Sequence, residues 1–306
     1  FTSAAHTRGM EDLSDAIVDF LSQKNYAPSV SEPEAASGKV PEALRLTLLG
    51  RPNAGKSSFL NRILGHERSI VSSIPGTTRD VIEESFVFQG KKGILLDTAG
   101  MRRKRKIDEK LEYVSIKRAI QALEQSHVVL LILDAQEGIT DQDKKLAHLA
   151  VKRGKGLLIG VNKWDLIESD VKKEDYLDRI RFLLRVAPFV PVMEISVKDN
   201  YQIDRFMKKA FSIYEAYRKK ISTHDLTEFL RDRIKDKPLF TKEGEFKSYY
   251  AIQKEVAPPR FQIFVNHEKV LTEAYRKFLH HSIRDHFKLE GIPMEIEIKN
   301  RQRTKS

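Results

Sequence analysis

The sequence predicts an α/β fold, a mostly parallel sheet with helices on both faces, followed by a small α+β unit. Three observations carry that expectation. From Leu44 to about residue 220, strand-sized apolar runs alternate with amphipathic helical stretches, the rhythm of a parallel sheet with crossover helices. A glycine-containing segment, Gly50 to Ser57, lies between the first strand and the first helix. After residue 220 the order becomes helix, strand, strand, helix, strand, too few elements for a second doubly wound sheet.

The elements follow in order. A helical stretch from Glu11 to Leu21 places Leu13, Ile17, Phe20 and Leu21 on one face. Residues 22–43, with Pro28, Pro33, Gly38 and Pro41, read as a flexible linker. Strands are expected at 44–49, 84–89, 93–96, 127–133, 156–161 and 190–195, and helices at 56–64, 109–125, 141–153, 171–186 and 203–220. The turn Gly90-Lys91-Lys92-Gly93 makes one hairpin in this alternation. Beyond it, a helix at 223–235 starts behind Thr223 as N-cap and stops before Pro238. Strands at 247–254 and 260–266 flank Pro258-Pro259, and a helix at 269–287 and a strand at 294–299 complete the second unit.

Composition sets outer bounds. A length of 306 residues fits two domains, and 41% hydrophobic residues fits globular structure. With no cysteine, the chain holds no disulfide, zinc finger, thiol nucleophile or iron–sulfur cluster. The longest apolar run, Val128 to Leu133, is strand-sized, so no membrane partner is expected. No basic-then-apolar leader precedes the first domain, and a cytoplasmic location is expected. The net charge of +11 points to a polyanionic partner or to a solubility device. It is uneven, because residues 201–306 carry 23 Lys+Arg against 15 Asp+Glu.

Four short motifs carry chemistry, each at the C-terminal end of an expected strand, where open α/β sheets bind ligands. Gly50-Arg51-Pro52-Asn53-Ala54-Gly55-Lys56-Ser57 fits G-x-x-x-x-G-K-S between a strand and a helix. Its glycines let backbone N–H groups converge on phosphate oxygens, and the helix adds its positive end. Lys56 then neutralises the β- and γ-phosphates and the Ser57 hydroxyl ligates Mg²⁺. The alternative is a glycine-rich turn that matches by chance. Asp97-Thr98-Ala99-Gly100 follows the apolar strand, placing a carboxylate where it can hold Mg²⁺ through water and a side-chain-free N–H near the γ-phosphate. By itself, that tetrapeptide reads equally as a plain turn.

Asn162-Lys163-Trp164-Asp165 follows the strand at 156–161. Asp165 accepts two hydrogen bonds from guanine N1–H and the exocyclic amine, a pattern adenine lacks, which discriminates by on the order of 10⁴-fold. Lys163 lays its stem along the base, and Asn162 ties this loop to the phosphate loop. Ser196-Val197-Lys198 offers a backbone N–H to guanine O6. The bland alternative for Asp165 is a helix-starting acid.

The set GRPNAGKS, PGTTRD, DTAG, NKWD and SVK resembles the translation-factor-like GTPases. Within that class, PGTTRD at 75–80, DTAGMRRKRK at 97–106, EGITDQD at 137–143 and NKWDL at 162–166 resemble the second G domain of the Der (EngA) family of ribosome-assembly GTPases. The segment 247–299, with KSYYAIQ, PPRFQIFVN and YRKFLHHSIRDHF, is similar to that family's C-terminal KH-like domain. The resemblance spans roughly residues 44–300. It implies a P-loop GTPase domain at 44–220 and a KH-like RNA- or ribosome-binding domain at 221–306, packed together. It implies binding of GTP and GDP, hydrolysis to GDP and phosphate with Mg²⁺, and the large (50S) bacterial ribosomal subunit and its rRNA as partners. Ser3 to Gly9 and the following helix look like the end of a preceding G domain, so residues 1–21 are expected to be its tail, with an ordinary N-terminal helix as the alternative.

The resemblance also assigns roles. Thr78 aligns with the switch-I threonine that closes on Mg²⁺ and the γ-phosphate, joining Lys56 and Gly100 as the catalytic set. Met101 follows DTAG where Ras-like enzymes carry a water-orienting Gln, so intrinsic hydrolysis is expected to be slow. Asn53 matches the phosphate-loop Asn through which related GTPases bind K⁺; otherwise it merely shapes the loop. Arg102 to Lys106 read either as a solvated loop or as a switch that contacts RNA or the neighbouring domain. The second unit has no G-x-x-G, so positive surface such as Arg276, Lys277, Arg284 and Lys288, with Arg301, Arg303 and Lys305, is expected to meet structured RNA through phosphates. A solvated face and domain interface is the alternative. His280, His281 and His286 read as a surface cluster, and Tyr249 and Tyr250 as a half-core strand pair. Two functional rivals remain, a tRNA-modification-type GTPase and a GTP-loaded RNA-binding scaffold with negligible turnover.

Overall fold

The structure, a computed structural model, describes residues 43–66, 83–96, 120–185, 187–241, 244–268 and 271–300. The expected tail of a preceding domain, nearly all of the linker, the segments 75–80 and 97–106, and Arg301, Arg303 and Lys305 lie outside the described residues.

The first unit runs β1 (Leu44–Leu49), α1 (Lys56–His66), β2 (Glu83–Phe88), β3 (Lys91–Leu96), β4 (Val128–Asp134), α2 (Asp141–Lys152), β5 (Gly156–Asn162), α3 (Lys173–Leu183), β6 (Val192–Glu194) and α4 (Ile203–Tyr217). A further helix ends at residue 125. The sheet order is β2-β3-β1-β4-β5-β6. Only β2 is antiparallel, because a two-residue turn at Gln89 and Gly90, both with positive φ, returns the chain directly into β3. All seven residues of both β4 and β5 are buried, as continuous apolar runs covered on two faces require. The chain leaves β1 for β3 on one side and returns to β4 on the other, so the strand order reverses at the C-terminal end of β1.

Helices cover both faces. On one, α1 and α4 meet through Phe59 and Phe206, edge to face with ring centroids 5.7 Å apart. On the other, α2 contributes Ala147 and Ala150, and α3 contributes Leu177 and Ile180. Thr140 caps α2 in a capping box with Asp143, and Ser222 rather than Thr223 caps the next helix. Helix α3 starts two residues later and stops three earlier than expected, with Leu184 already at ψ 51° ahead of Pro188.

The second unit comprises α5 (Thr223–Asp236), β7 (Phe240–Thr241), β8 (Gly244–Glu245), β9 (Ser248–Glu255), β10 (Arg260–Val265), α6 (Glu273–Phe287) and β11 (Glu295–Asn300). Its main sheet is ordered β11-β10-β9, with β10 parallel to β11. The small β7–β8 hairpin has two-residue strands, too short to leave a periodic signal. Helix α6 begins at Glu273 instead of 269 because Thr272 accepts the Tyr275 N–H at 3.2 Å.

The two units join through backbone. Gly291 donates its N–H to the Phe189 carbonyl at 2.9 Å and accepts the Leu157 N–H at 2.7 Å. A Cβ at Gly291 would stand 2.8 Å from Ile213 and 3.0 Å from the Leu157 carbonyl, and φ there is +74°. The neighbouring Ile292 is fully buried in the core of the first unit.

His127, just before β4, is held at this end of the sheet. Its Nδ1 accepts the Arg45 N–H at 3.1 Å, and its ring stacks on Tyr214 at 5.0 Å. Burial, aided by the charges of Lys155, Arg45 and Arg218, pulls its pKa from 6.5 to about 4. The unfolded chain therefore takes up a proton below pH ~6.5 that the folded chain refuses, and stability falls as pH drops from ~6.5 to ~4, by up to about 3 kcal/mol. His127→Gln is expected to flatten this part of the stability–pH curve, measured by urea denaturation, and to leave its shape above pH ~7 unchanged.

Candidate nucleotide-binding site

The loop after β1 is shaped by its two glycines. Gly50 has φ +137°, and a Cβ there would stand 2.2 Å from the Ile132 carbonyl on β4. Gly55 has φ +99°, and its Cβ would stand 2.1 Å from Nδ2 of Asn162. Between them, Asn53 is exposed in the left-handed region at φ +64°, Pro52 is exposed and Ala54 is buried. The Lys56 ammonium folds back on the loop and donates to the Gly50 and Arg51 carbonyls, both at 2.6 Å. Ser57 follows in the first turn of α1, where helix N–H groups and the dipole favour anions.

The loop after β5 is tied to it. Asn162 is 3% exposed; its Nδ2 donates to the Ala54 carbonyl at 2.8 Å, and its Oδ1 accepts the Val197 N–H at 3.1 Å. One buried amide thus links three loops. Asp165 accepts the Ser196 hydroxyl at 2.7 Å and has the Lys198 ammonium 3.5 Å from its other oxygen. The Ser196 hydrogen bond, a backbone N–H and Lys198 hold its carboxyl below the usual range, so it is an ionised acceptor with lone pairs to spare. Trp164 packs edge-on against Tyr176, with centroids 5.2 Å apart, under this loop.

A cavity of about 860 Å³ opens between these loops, bordered by Asn53, Gly55, Asn162, Lys163, Asp165 and Val197. Three of the four expected segments therefore meet in space. Thr78, Asp97, Thr98, Ala99, Gly100 and Met101 lie outside the described residues. No group of three or more His, Asp or Glu side chains forms a metal site among the described residues, and Ser57 is the described member of the expected Mg²⁺ set.

Several supporting residues had no signal in one sequence. Asp134, at the end of β4, is 6% exposed and pairs with the Lys163 ammonium, fixing a lysine whose own backbone is left-handed at φ +64°. Arg62 on α1 donates to the Val197 and Lys198 carbonyls at 3.1 and 3.4 Å. Arg51 pairs with Glu137 and reaches the fully buried Asp143 at 3.1 Å, which anchors the phosphate loop to the EGITDQD segment.

The second unit corrects one expectation. Arg284 is not surface charge but 6% exposed, its guanidinium over the Phe189 ring at 4.1 Å and bonded to the Leu289 and Ile292 carbonyls. A helix face turned to the neighbouring unit looks identical in sequence to one turned to water. His286 stacks on Phe229 at 4.0 Å, and His280 is partly buried with Nε2 3.3 Å from the Met294 carbonyl. Tyr249 and Tyr250 are both 39% exposed, and Tyr250 stacks on Phe264 at 4.3 Å.

The glycines generate a test. Gly55→Ala is expected to cost more than about 2 kcal/mol of stability, through positive φ and displacement of the Asn162 amide. Gly65→Ala, whose Cβ meets nothing within 4 Å, is expected to be neutral or to stabilise by up to ~1 kcal/mol in the same denaturation assay.

Comparison with known proteins places these loops in a family. A model described as 50S ribosome-binding GTPase matches residues 45–163, one for the elongation factor Tu GTP-binding domain matches 112–221, and one for the KH-domain-like C-terminal part of EngA bacterial GTPases matches 220–299. GTPase Der of Caldanaerobacter subterraneus subsp. tengcongensis is 40% identical over 301 residues, 98% of this chain and 66% of that protein. GTPase Der of Chloroherpeton thalassium is 37% identical over 303 residues, 98% of this chain and 67% of that protein. The chain thus spans about two thirds of the length of the curated relatives it matches. Among solved structures, Aquifex aeolicus Era with GDP and aluminium fluoride has a TM-score of 0.43 at 22% identity, over 84% of this chain and 93% of that one. Matching these relatives over nearly its whole length, with a P-loop GTPase domain followed by a KH-like domain, the chain belongs to the GTPase Der family.

Proposed function

We propose that this protein binds GTP and GDP, hydrolyses GTP, and acts as a switch in assembly or maturation of the large (50S) ribosomal subunit in the bacterial cytoplasm. The observation that carries the reading is the Asn162 bridge, which sets the phosphate loop, Asp165 and Val197 around one cavity. No described helix is long and apolar enough to cross a membrane. Membership of the GTPase Der family supports the ribosomal role.

In this reading residues 44–220 are the GTPase domain and 221–306 the KH-like domain that meets ribosomal RNA. The loop from Gly50 to Ser57 cradles the phosphates. Lys56 leaves the Gly50 and Arg51 carbonyls for the β- and γ-phosphates, an exchange of two neutral acceptors for charged ones that favours the bound state. Asp165 takes the guanine N1–H and amine, Lys163 lies along the base, and the Ser196-Val197-Lys198 segment serves O6 with a backbone N–H other than those of Ser196 and Val197, which bond to Tyr201 and Asn162. Ser57, Thr78 and Asp97 would hold Mg²⁺, a hard cation suited to hydroxyl and carboxylate oxygens, which when bound neutralises phosphate charge. Thr78 and Gly100 close on the γ-phosphate, with Thr98, Ala99 and Met101 alongside. Asn53, exposed and left-handed on the rim of the cavity, would be the residue that serves K⁺.

Met101 favours one second reading, a GTP-loaded RNA-binding scaffold, because a thioether cannot orient or deprotonate water. Single-turnover GTP hydrolysis separates the two. The switch predicts faster turnover with large ribosomal subunits than without, and faster turnover in KCl than in NaCl at matched ionic strength. No stimulation by subunits assigns the scaffold, and equal rates in the two salts remove K⁺. Base recognition is tested by Asp165→Asn. Its amide presents a donor to the guanine amine but suits the 2-oxo group of xanthine, so GDP affinity falls by on the order of 100-fold or more while the xanthosine nucleotide gains, read by calorimetry.

A further inference from the structure

We infer that the groove between the two units is a binding site for the phosphodiester backbone of structured RNA, an assignment that rests on the reading of ribosomal RNA as the partner. The groove has a volume of about 1500 Å³ and is lined by α3, β6 and α4 of the first unit and by the C-terminal half of α6 of the second. Its side chains include seven Lys and Arg against four Asp and Glu, so its field is positive.

Pairing sharpens that asymmetry. Glu194 is met by Lys173 at 3.4 Å, Glu174 lies 3.9 Å from the same ammonium, and Glu290 is paired with Lys209. Asp285, beside Arg284, is the remaining acid. Arg205 and Lys208, one turn apart on α4, and Lys288, the left-handed C-cap of α6, are exposed and have no carboxylate partner among the described residues. Salt bridges thus consume most of the acids and leave these three cations over.

Arg284 adds an independent observation. One of its nitrogens bonds to two carbonyls, but Nε and Nη2 are buried with no hydrogen-bond partner. Burial lowers its pKa only to about 10, so it is cationic at neutral pH. A guanidinium with orphaned donors in a groove wall is an unneutralised charge, which a nearby phosphate compensates.

The chemistry of the walls selects RNA over an acidic protein. Protein partners anchor large side chains in accessible apolar pockets, whereas Leu177, Val190, Val192 and Ile213, the aliphatic residues of this groove, are buried in its wall. Exposed cations and two imidazoles, His280 and His281, over mostly buried aliphatic side chains match a phosphate backbone read by position and not by base. The second unit contains no G-x-x-G, so a route that avoids clamping single strands also fits its sequence.

The test is the triple variant Arg205→Ala, Lys208→Ala, Lys288→Ala, titrated with purified, protein-free large-subunit rRNA over a salt series. All three side chains are exposed, and none belongs to the nucleotide site. Each phosphate contact removed flattens the log–log salt slope by ~0.7 to 0.9, so the triple variant is expected to lose about 2 to 3 from the slope and at least ~10-fold in affinity, with GDP binding unchanged. Because the chain has no cysteine, Ser212→Cys gives a single thiol in the groove, and a benzophenone there is expected to crosslink to the rRNA. Wild-type slope and affinity in the triple variant, or no crosslink from a protein that binds the rRNA, overturns the groove assignment and leaves the RNA reading standing. A wild-type protein that does not bind the rRNA overturns that reading itself.

Discussion

Everything in the nucleotide site depends on one buried carboxamide. Asn162 spends its donor on the Ala54 carbonyl and its acceptor on the Val197 N–H, so the phosphate loop and both loops at the base end are held by a group with no freedom to turn. In a dry setting an unmade hydrogen bond costs ~1 to 3 kcal/mol, so each partner enforces the others. The same amide explains why position 55 is glycine. A Cβ there would stand 2.1 Å from Nδ2, closer than any real contact allows. Gly50 obeys the same logic against the Ile132 carbonyl, which makes the spacing of the two glycines a record of strand neighbours as well as of phosphate geometry.

Around that amide the charges are arranged in pairs that cross between strands. Asp134 at the end of β4 holds the Lys163 ammonium, and Arg51 reaches Glu137 and Asp143 beyond the same strand. The phosphate loop is therefore braced on one side by an amide and on the other by ion pairs. Asp143 is the telling case. It is fully buried, accepts the Thr140 N–H at 3.0 Å and hydroxyl at 2.7 Å, and receives Arg51 at 3.1 Å, so one carboxylate is both a helix cap and a loop anchor. Buried carboxylates survive only with such partners.

Much of this was legible in the sequence, for identifiable reasons. Strands β4 and β5 are continuous apolar runs flanked by turn residues, and their positions follow from hydrophobicity alone. The phosphate loop and NKWD were legible because their chemistry demands particular residue types at fixed spacing, and Asn162 does tie the two together. Arg284 reads as surface charge in the sequence, since only tertiary packing distinguishes a helix face that meets Phe189 from one that meets water. Asp134, Arg62 and the Arg51 ion pairs are invisible there, because ion pairs and hydrogen bonds between residues 29 to 135 positions apart leave no local pattern. The start of α6 lies four residues later than the apolar period suggests because the Thr272 hydroxyl caps the helix there.

The seam between the units joins the same strands that carry the base loops. Gly291 bonds to Leu157 near the start of β5, and β5, seven residues long, ends at Asn162. A strand of that length spans about 20 Å and has all its residues buried in close-packed surroundings. Gly291 also bonds to Phe189, three residues before β6, the strand that leads into Ser196 and Val197. Both loops at the base end of the cavity therefore hang from strands whose opposite ends are pinned to the KH-like unit. Ile292, seated in the core of the first unit, closes the joint with apolar packing. The candidate nucleotide cavity thus lies at one end of β5, beside Asn162, and the junction with Gly291 at the other.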